Sequence, residues 1–261
     1  MKKIHCFIIG IALLGAIPSF SQNFTWPQGK KMALSLSFDD ARGSQVTHGT
    51  PLLNQHGVKA TFFLNPGAME KNLAGWKKAV ADGHEIGNHS TSHPCTGIFT
   101  WSRANALENY SLEKMEKDIL DCNKSIEKNL GVKAEVFAYP CGQTFIGNAG
   151  QTQSYVPLIA KHFLLGRLWK SEAPNDPSYT NFAQLTGIEM DGQDFEQILP
   201  LIEEARKSGK WLVLAGHEMN ESGNQTTRLS MLKKLMEYAN DPAHGIWIAP
   251  MGTVTKYIQS H

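Results

Sequence analysis

Cysteine is scarce in this chain, and past residue 21 it is odd in number: only Cys95, Cys122 and Cys141 follow Cys6. Three thiols cannot pair completely. A scaffold stapled by disulfides is therefore excluded, one bridge among them is allowed, and at least one thiol stays free. Basic residues form no block. The formal charge is +1, and Lys2 and Lys3 account for two positive charges, so the remainder carries −1. That balance argues against a nucleic-acid partner. No repeat, low-complexity tract or linker interrupts the chain. Hydrophobic and charged fractions of 41% and 19% argue against disorder and a coiled coil. The fold must rest on its core, and 261 residues suffice for one domain of barrel size.

The apolar run 6–17 is short for a membrane span. It follows Lys2 and Lys3 and precedes Ser19 and Ser21 at −3 and −1 of a cleavage site, the pattern of a secretory signal peptide over residues 1–21. A retained anchor is the alternative. The expectation is an exported protein, periplasmic or secreted, without a stable membrane anchor, whose single domain spans residues 22–261.

Seven apolar or β-branched runs predict strands over residues 32–38, 59–65, 84–90, 135–140, 162–168, 211–217 and 246–251. Several are nearly continuous rather than alternating, as parallel strands covered on both faces require. Between them lie helical patterns. Met115, Ile119, Cys122, Ile126 and Leu130 form one stripe, with Gly131 as its C-cap. Asp194 and Gln197 form a capping box before Ile198, Ile202 and Ala205, where Pro200 predicts a kink or a later start. Leu229, Leu232, Leu235 and Met236 make a third stripe. Alternating strand and helix imply a parallel sheet, open or closed. Asp39, Asp40, His89, residues 140–142 and His217 all end different strands. In a barrel those ends converge on one mouth, so a barrel is favoured.

Chemistry gathers at the same ends. Two adjacent aspartates after an extended strand point in different directions, so one can ligate a cation while the other accepts a proton. The plainer account is a helix N-cap or a turn. His89 and His93 lie four apart. Pro94 disfavours a long helix at His93, but a single turn brings both imidazoles to one side. A pair of solvated loop histidines is the alternative. Two imidazoles and one carboxylate suit zinc, with cobalt or nickel chemically acceptable. Cys95 and Cys141 each follow a site strand and can ligate a metal or bridge each other, whereas Cys122 belongs to a core stripe. Trp101, Trp169 and Tyr155 fall in loops near the strand ends, where aromatic faces stack on sugar rings or simply pack.

Ser37-Phe38-Asp39-Asp40, the run 59–64 (KATFFL) and the run 83–94 (GHEIGNHSTSHP) resemble the polysaccharide deacetylase family, the chitooligosaccharide deacetylase-like group of carbohydrate esterase family 4. The resemblance implies a distorted seven-stranded parallel (β/α) barrel and hydrolysis of acetyl groups on carbohydrate, N-acetyl usually and O-acetyl sometimes. It implies Asp39 as base, a divalent metal on Asp40, His89 and His93, and His217 as general acid. Tyr139, Pro140 and Cys141 then frame the substrate, with a backbone N–H near Cys141 for the oxyanion. Three alternatives stay open: an N-acetyl deacetylase, an acetylxylan-type esterase, and a sugar-binding member without turnover. The last arises because Ala138 stands where the family carries an arginine that pairs with the base. Arg167 is the expected substitute for that arginine, Asp191 the expected partner of His217, and Trp169 a supporting residue.

Overall fold

The computed structural model describes residues 24–261; the 1–21 segment lies outside them. All seven predicted strands form, each shorter than or equal to its expected range. They are β1 (Met32–Phe38), β2 (Thr61–Leu64), β3 (Glu85–Asn88), β4 (Val136–Ala138) and β5 (Leu165–Arg167). A two-residue strand that the apolar pattern did not reveal, β6 (Ile188–Glu189), comes next, followed by β7 (Trp211–Gly216) and β8 (Ile246–Ile248). Pairing is parallel throughout, in the order β5-β4-β3-β2-β1-β7-β6. The curled sheet is a distorted (β/α) barrel.

The distortion has a definite place. One edge of β1 pairs with β7 from Ala33↔Trp211 to Phe38↔Gly216. Its other edge is shared: residues 32–34 pair with β8, whereas Ser37 and Phe38 pair with Thr61 and Phe62 of β2. At the far side Leu185 bridges Arg167 while β6 pairs with β7, so one segment touches both ends of the strand order.

Side-chain parity then sorts the strands. Met32, Leu34, Leu36 and Phe38 of β1 join Leu212 and Leu214 of β7 in the core beneath the helices. The opposite parity, Ala33, Val136, Ala138, Leu165, Trp211 and Val213, fills the barrel with Phe63, Met251 and Val254. Successive side chains alternate, so continuing the inner parity past the strand ends selects Asp39, His89, Arg167 and His217. Those four are buried polar residues at one end of an apolar interior.

The helices hold this arrangement. Leu112–Leu130 carries the predicted stripe, begins at the Ser111 side chain and stops at Gly131 with φ 71°. Phe195–Ser208 opens on the capping box of Asp194 and Gln197 and ends at Gly209. Pro200 does not delay its start, because the box fixes the first turn ahead of the proline. No helix among the described residues is long and apolar enough to cross a membrane.

His84, just before β3, is buried, and its Nδ1 accepts the Ala60 amide at 3.2 Å. Burial first, then Lys59, pushes its pKa down to about 4. Between that value and the ordinary 6.5, the unfolded chain binds a proton that the folded chain refuses. Stability is therefore lost as pH falls through this window, by up to about 1.4 kcal/mol per pH unit. His84→Asn keeps an acceptor for Ala60 but does not titrate. Its denaturation midpoint should vary less with pH between 6.5 and 4 than that of the wild type, and identical slopes would rule His84 out as a source.

Candidate active site

Asp39 sits at the inner end of β1, where its amide is held by Gly216 O at 2.9 Å. Its carboxylate Oδ1 accepts a hydrogen bond from Arg167 Nη2, and both side chains are buried. Arg167 in turn donates through Nη1 to Leu168 O at 3.0 Å and lies against the Phe63 and Trp169 rings. Burial alone raises the Asp39 pKa. The Arg167 guanidinium, then His89 and His217, outweigh it and hold the carboxyl below its ordinary value. Arg167 is in register with Ala138 on the neighbouring strand.

Asp40 turns away. Its φ is 73° and that of Ala41 is 51°, so a left-handed turn separates the two aspartates, in addition to strand alternation. Asp40 Oδ1 lies 3.5 Å from His89 Nε2 and 3.3 Å from His93 Nε2. The rings of the two histidines are 4.7 Å apart. They share a side without the expected helical turn: residues 89–96 are a loop, with Ser90 and His93 at φ 60° and 46°. Ser90 Oγ accepts the His93 amide at 3.0 Å and fixes the loop. His89 donates through Nδ1 to Ala138 O at 2.9 Å, which leaves Nε2 as the nitrogen that faces Asp40. Burial, followed by the charge of His89, depresses His93 to about 4, so it is neutral and free to ligate near pH 7. Asp40 is raised by burial but lowered further by the histidines, and stays ionised.

His217 follows Gly216 at the end of β7. Its Nδ1 donates to Asp191 Oδ2 at 2.7 Å, and Asp191 Oδ1 accepts both the His217 amide at 3.1 Å and Thr227 Oγ1 at 2.6 Å. A Cβ on Gly216 would stand 2.0 Å from Thr227 Oγ1 and 2.7 Å from Asp191 Oδ1, so only glycine lets this triad close. Trp169 packs edge-on against the His217 ring at 4.8 Å. Burial lowers the His217 pKa, but Asp191 first, then Asp39 and Asp40, raise it above the ordinary value on balance. One buried residue here gave no sign in the sequence. Gln45 Nε2 donates to Asp39 O at 2.6 Å and His217 O at 2.8 Å, tying the two strand ends together. A glutamine after a turn has no pattern that marks it.

Cys141, at φ 55°, lies in a tight turn whose bonds run from Gly142 N and Gln143 N, leaving the Cys141 amide outside them. Cys95 and Cys141 form a disulfide. Both sulfurs are thereby used, which leaves Asp40, His89 and His93 as the group able to hold a metal ion. Cys122 is free and buried. Pro140 is buried, and the Tyr139 hydroxyl donates to Ala183 O at 2.7 Å. A cavity of about 590 Å³ joins Asp39, Asp40, His89, His93 and His217 to Tyr139 and Cys141. Its walls are aromatic: Trp169 on one side, Phe99 and the 65%-exposed Trp101, stacked at 5.6 Å, on another. Tyr155 is elsewhere. It is fully buried, with its hydroxyl on Gln143 O, because it starts the helix Val156–His162 under the turn.

The family model for polysaccharide deacetylase matches residues 27–153. YlxY, an uncharacterized protein of Bacillus subtilis (strain 168), is 41% identical over 92 residues, 35% of this chain and 25% of that protein. A peptidoglycan-N-acetylglucosamine deacetylase of Bacillus cereus (strain ATCC 14579) is 36% identical over 110 residues, 40% of this chain and 45% of that one. The matches thus span less than half the length of these relatives. Among solved structures, a Mycobacterium smegmatis protein carrying the polysaccharide deacetylase name superposes with a TM-score of 0.63 at 16% identity, covering 91% of this chain and 93% of that chain.

The disulfide joins the loop after His93 to the turn at Cys141 across 46 residues. Replacing both cysteines with serine should lower unfolding free energy by about 2–4 kcal/mol in denaturant titration. Reductant should cause the same loss in the wild type and none in the variant. A reductant-insensitive wild type would contradict the bridge.

Proposed function

The chain belongs to the polysaccharide deacetylase family, and from that premise we propose that it is a metal-dependent hydrolase removing acetyl groups, N-acetyl foremost, from a poly- or oligosaccharide. One observation carries the reading: Asp40 Oδ1 faces two imidazole nitrogens while Asp39, one residue away, is bound by Arg167 instead. The two carboxylates are thereby given separate tasks. Two imidazole nitrogens and one carboxylate oxygen within 4.8 Å of one another fit a divalent cation, zinc first among the candidates. Such a cation, when bound, lowers the pKa of water and polarises the acetyl carbonyl.

The rest falls to the chain's own groups. Asp39, oriented by Arg167, accepts the proton of the attacking water. The Cys141 amide donates to the carbonyl oxygen as it gains charge. His217, held by Asp191 with Nε2 towards the cavity, protonates the departing sugar nitrogen or oxygen, neither of which leaves well as an anion. Trp169, Trp101 and Phe99 offer apolar faces to the pyranose rings. N-acetyl preference is supported by the Bacillus cereus relative, which is named for N-acetylglucosamine. Export is supported by the 1–21 pattern and by a disulfide, which persists in oxidising compartments.

Acetate release decides the matter. N-acetylated chito-oligosaccharide and peptidoglycan should be deacetylated faster than acetylated xylan, and chelator should abolish release. Asp39→Asn should lower kcat about 10²–10⁴-fold with metal content unchanged. Release insensitive to chelator would refute the metal reading, faster xylan turnover would favour an esterase, and metal binding without any release would favour a sugar-binding member.

Arg167→Ala should reduce kcat by about 10–100-fold through misorientation of Asp39, while metal content stays the same. Arg167→Lys, which keeps the charge, should recover part of the loss. Full activity in a folded Arg167→Ala protein, checked by circular dichroism, would remove Arg167 from the site.

A further inference from the structure

Asp40 has a second oxygen. Whereas Oδ1 faces His89 and His93, Oδ2 accepts from Arg42 Nη2 at 2.8 Å and Nε at 3.3 Å. The contact is possible because Asp40 and Ala41 both take positive φ, folding residue 42 back over the carboxylate. Arg42 is braced in turn: its carbonyl accepts the Gln45 amide at 3.1 Å, Nη1 lies 3.7 Å from Glu218 Oε1, and Nη2 reaches Gln225 Oε1 at 3.5 Å. His217 Nε2 stands 4.0 Å from the same Oδ2. Both guanidinium nitrogens converge on this one oxygen and hold it towards Arg42, away from His89 and His93.

We propose that Arg42 is a positioning residue for the cation site, engaging Oδ2 so that Asp40 offers only Oδ1 alongside the two histidines. The proposal rests on the metal reading above. Two effects of Arg42 oppose each other, because a guanidinium also repels a cation. The side chain of Arg42 is 38% exposed, so solvent screens its charge, whereas the forked contact acts at hydrogen-bond distance. Orientation wins.

Cobalt(II) affinity of the metal-free full chain, measured by chelator competition, tests this without turnover. Arg42→Ala should bind cobalt about 10–100-fold more weakly, with a changed visible spectrum as the released Oδ2 turns towards the ion. Arg42→Lys, with the charge but one nitrogen in place of the planar fork, should fall between. Thermal unfolding of the metal-free variants should match the wild type, which separates the effect from misfolding. Equal or tighter cobalt binding by Arg42→Ala would overturn the proposal and leave the metal reading standing. A wild type that binds no cobalt, zinc or nickel would overturn both.

Discussion

Two neighbouring carboxylates in a largely buried site repel each other and resist ionisation. The site exists because each has its own compensation. Asp39 is met by a guanidinium from β5. Asp40 is met by two imidazoles on one oxygen and by Arg42 on the other. The left-handed turn at Asp40 and Ala41 makes the separation possible, at a conformational cost that L side chains seldom bear. That cost is offset by strands on both sides, since Asp39 is bound to Gly216 and Gln45 spans from Asp39 O to His217 O.

The same economy of placement governs the loops. His93 is at positive φ in a segment with no helix or strand of its own. Its position is set by Ser90 behind it and by the Cys95–Cys141 bridge in front. The bridge also fixes Cys141 at φ 55°, where a backbone donor is left outside the turn's own hydrogen bonds. Thus one covalent link orders His93 on one loop and an amide on another. The three cysteines past residue 21 can do this, though they cannot staple a fold.

Strand positions were legible because nearly continuous apolar runs mark strands covered on both faces. Asp39, His89 and His217 could be read as strand-end residues, whereas their inward direction comes from the fold. The stripe ending at Gly131 was equally plain. What escaped was set by tertiary contact. Ile188–Glu189 is a strand only because β7 lies beside it. Pro200 argues for a break, yet the capping box at Asp194 starts the helix ahead of it. Gln45 and Arg42 carry no periodic mark, and Tyr155 looks like a rim aromatic until its hydroxyl is seen on Gln143 O. The cysteine pairing was one option among several, since spacing says nothing about Cβ directions.

The arginine shows how far such reasoning reaches. Where the family pattern has arginine, β4 of this chain has Ala138, and read alone that change suggests a lost function. Yet Ala138 and Arg167 are partners in a parallel register, with the same inward parity on adjacent strands. Neighbouring strands lie under 5 Å apart, well within the reach of an arginine side chain, so a guanidinium launched from β5 can meet a carboxylate served from β4. The arginine missing at Ala138 is thus answered by Arg167, whose Nη2 binds Asp39. Even the Ala138 carbonyl is used, as the acceptor that fixes His89. What the barrel needs at this level is one inward cation opposite Asp39, and either of two adjacent strands can supply it.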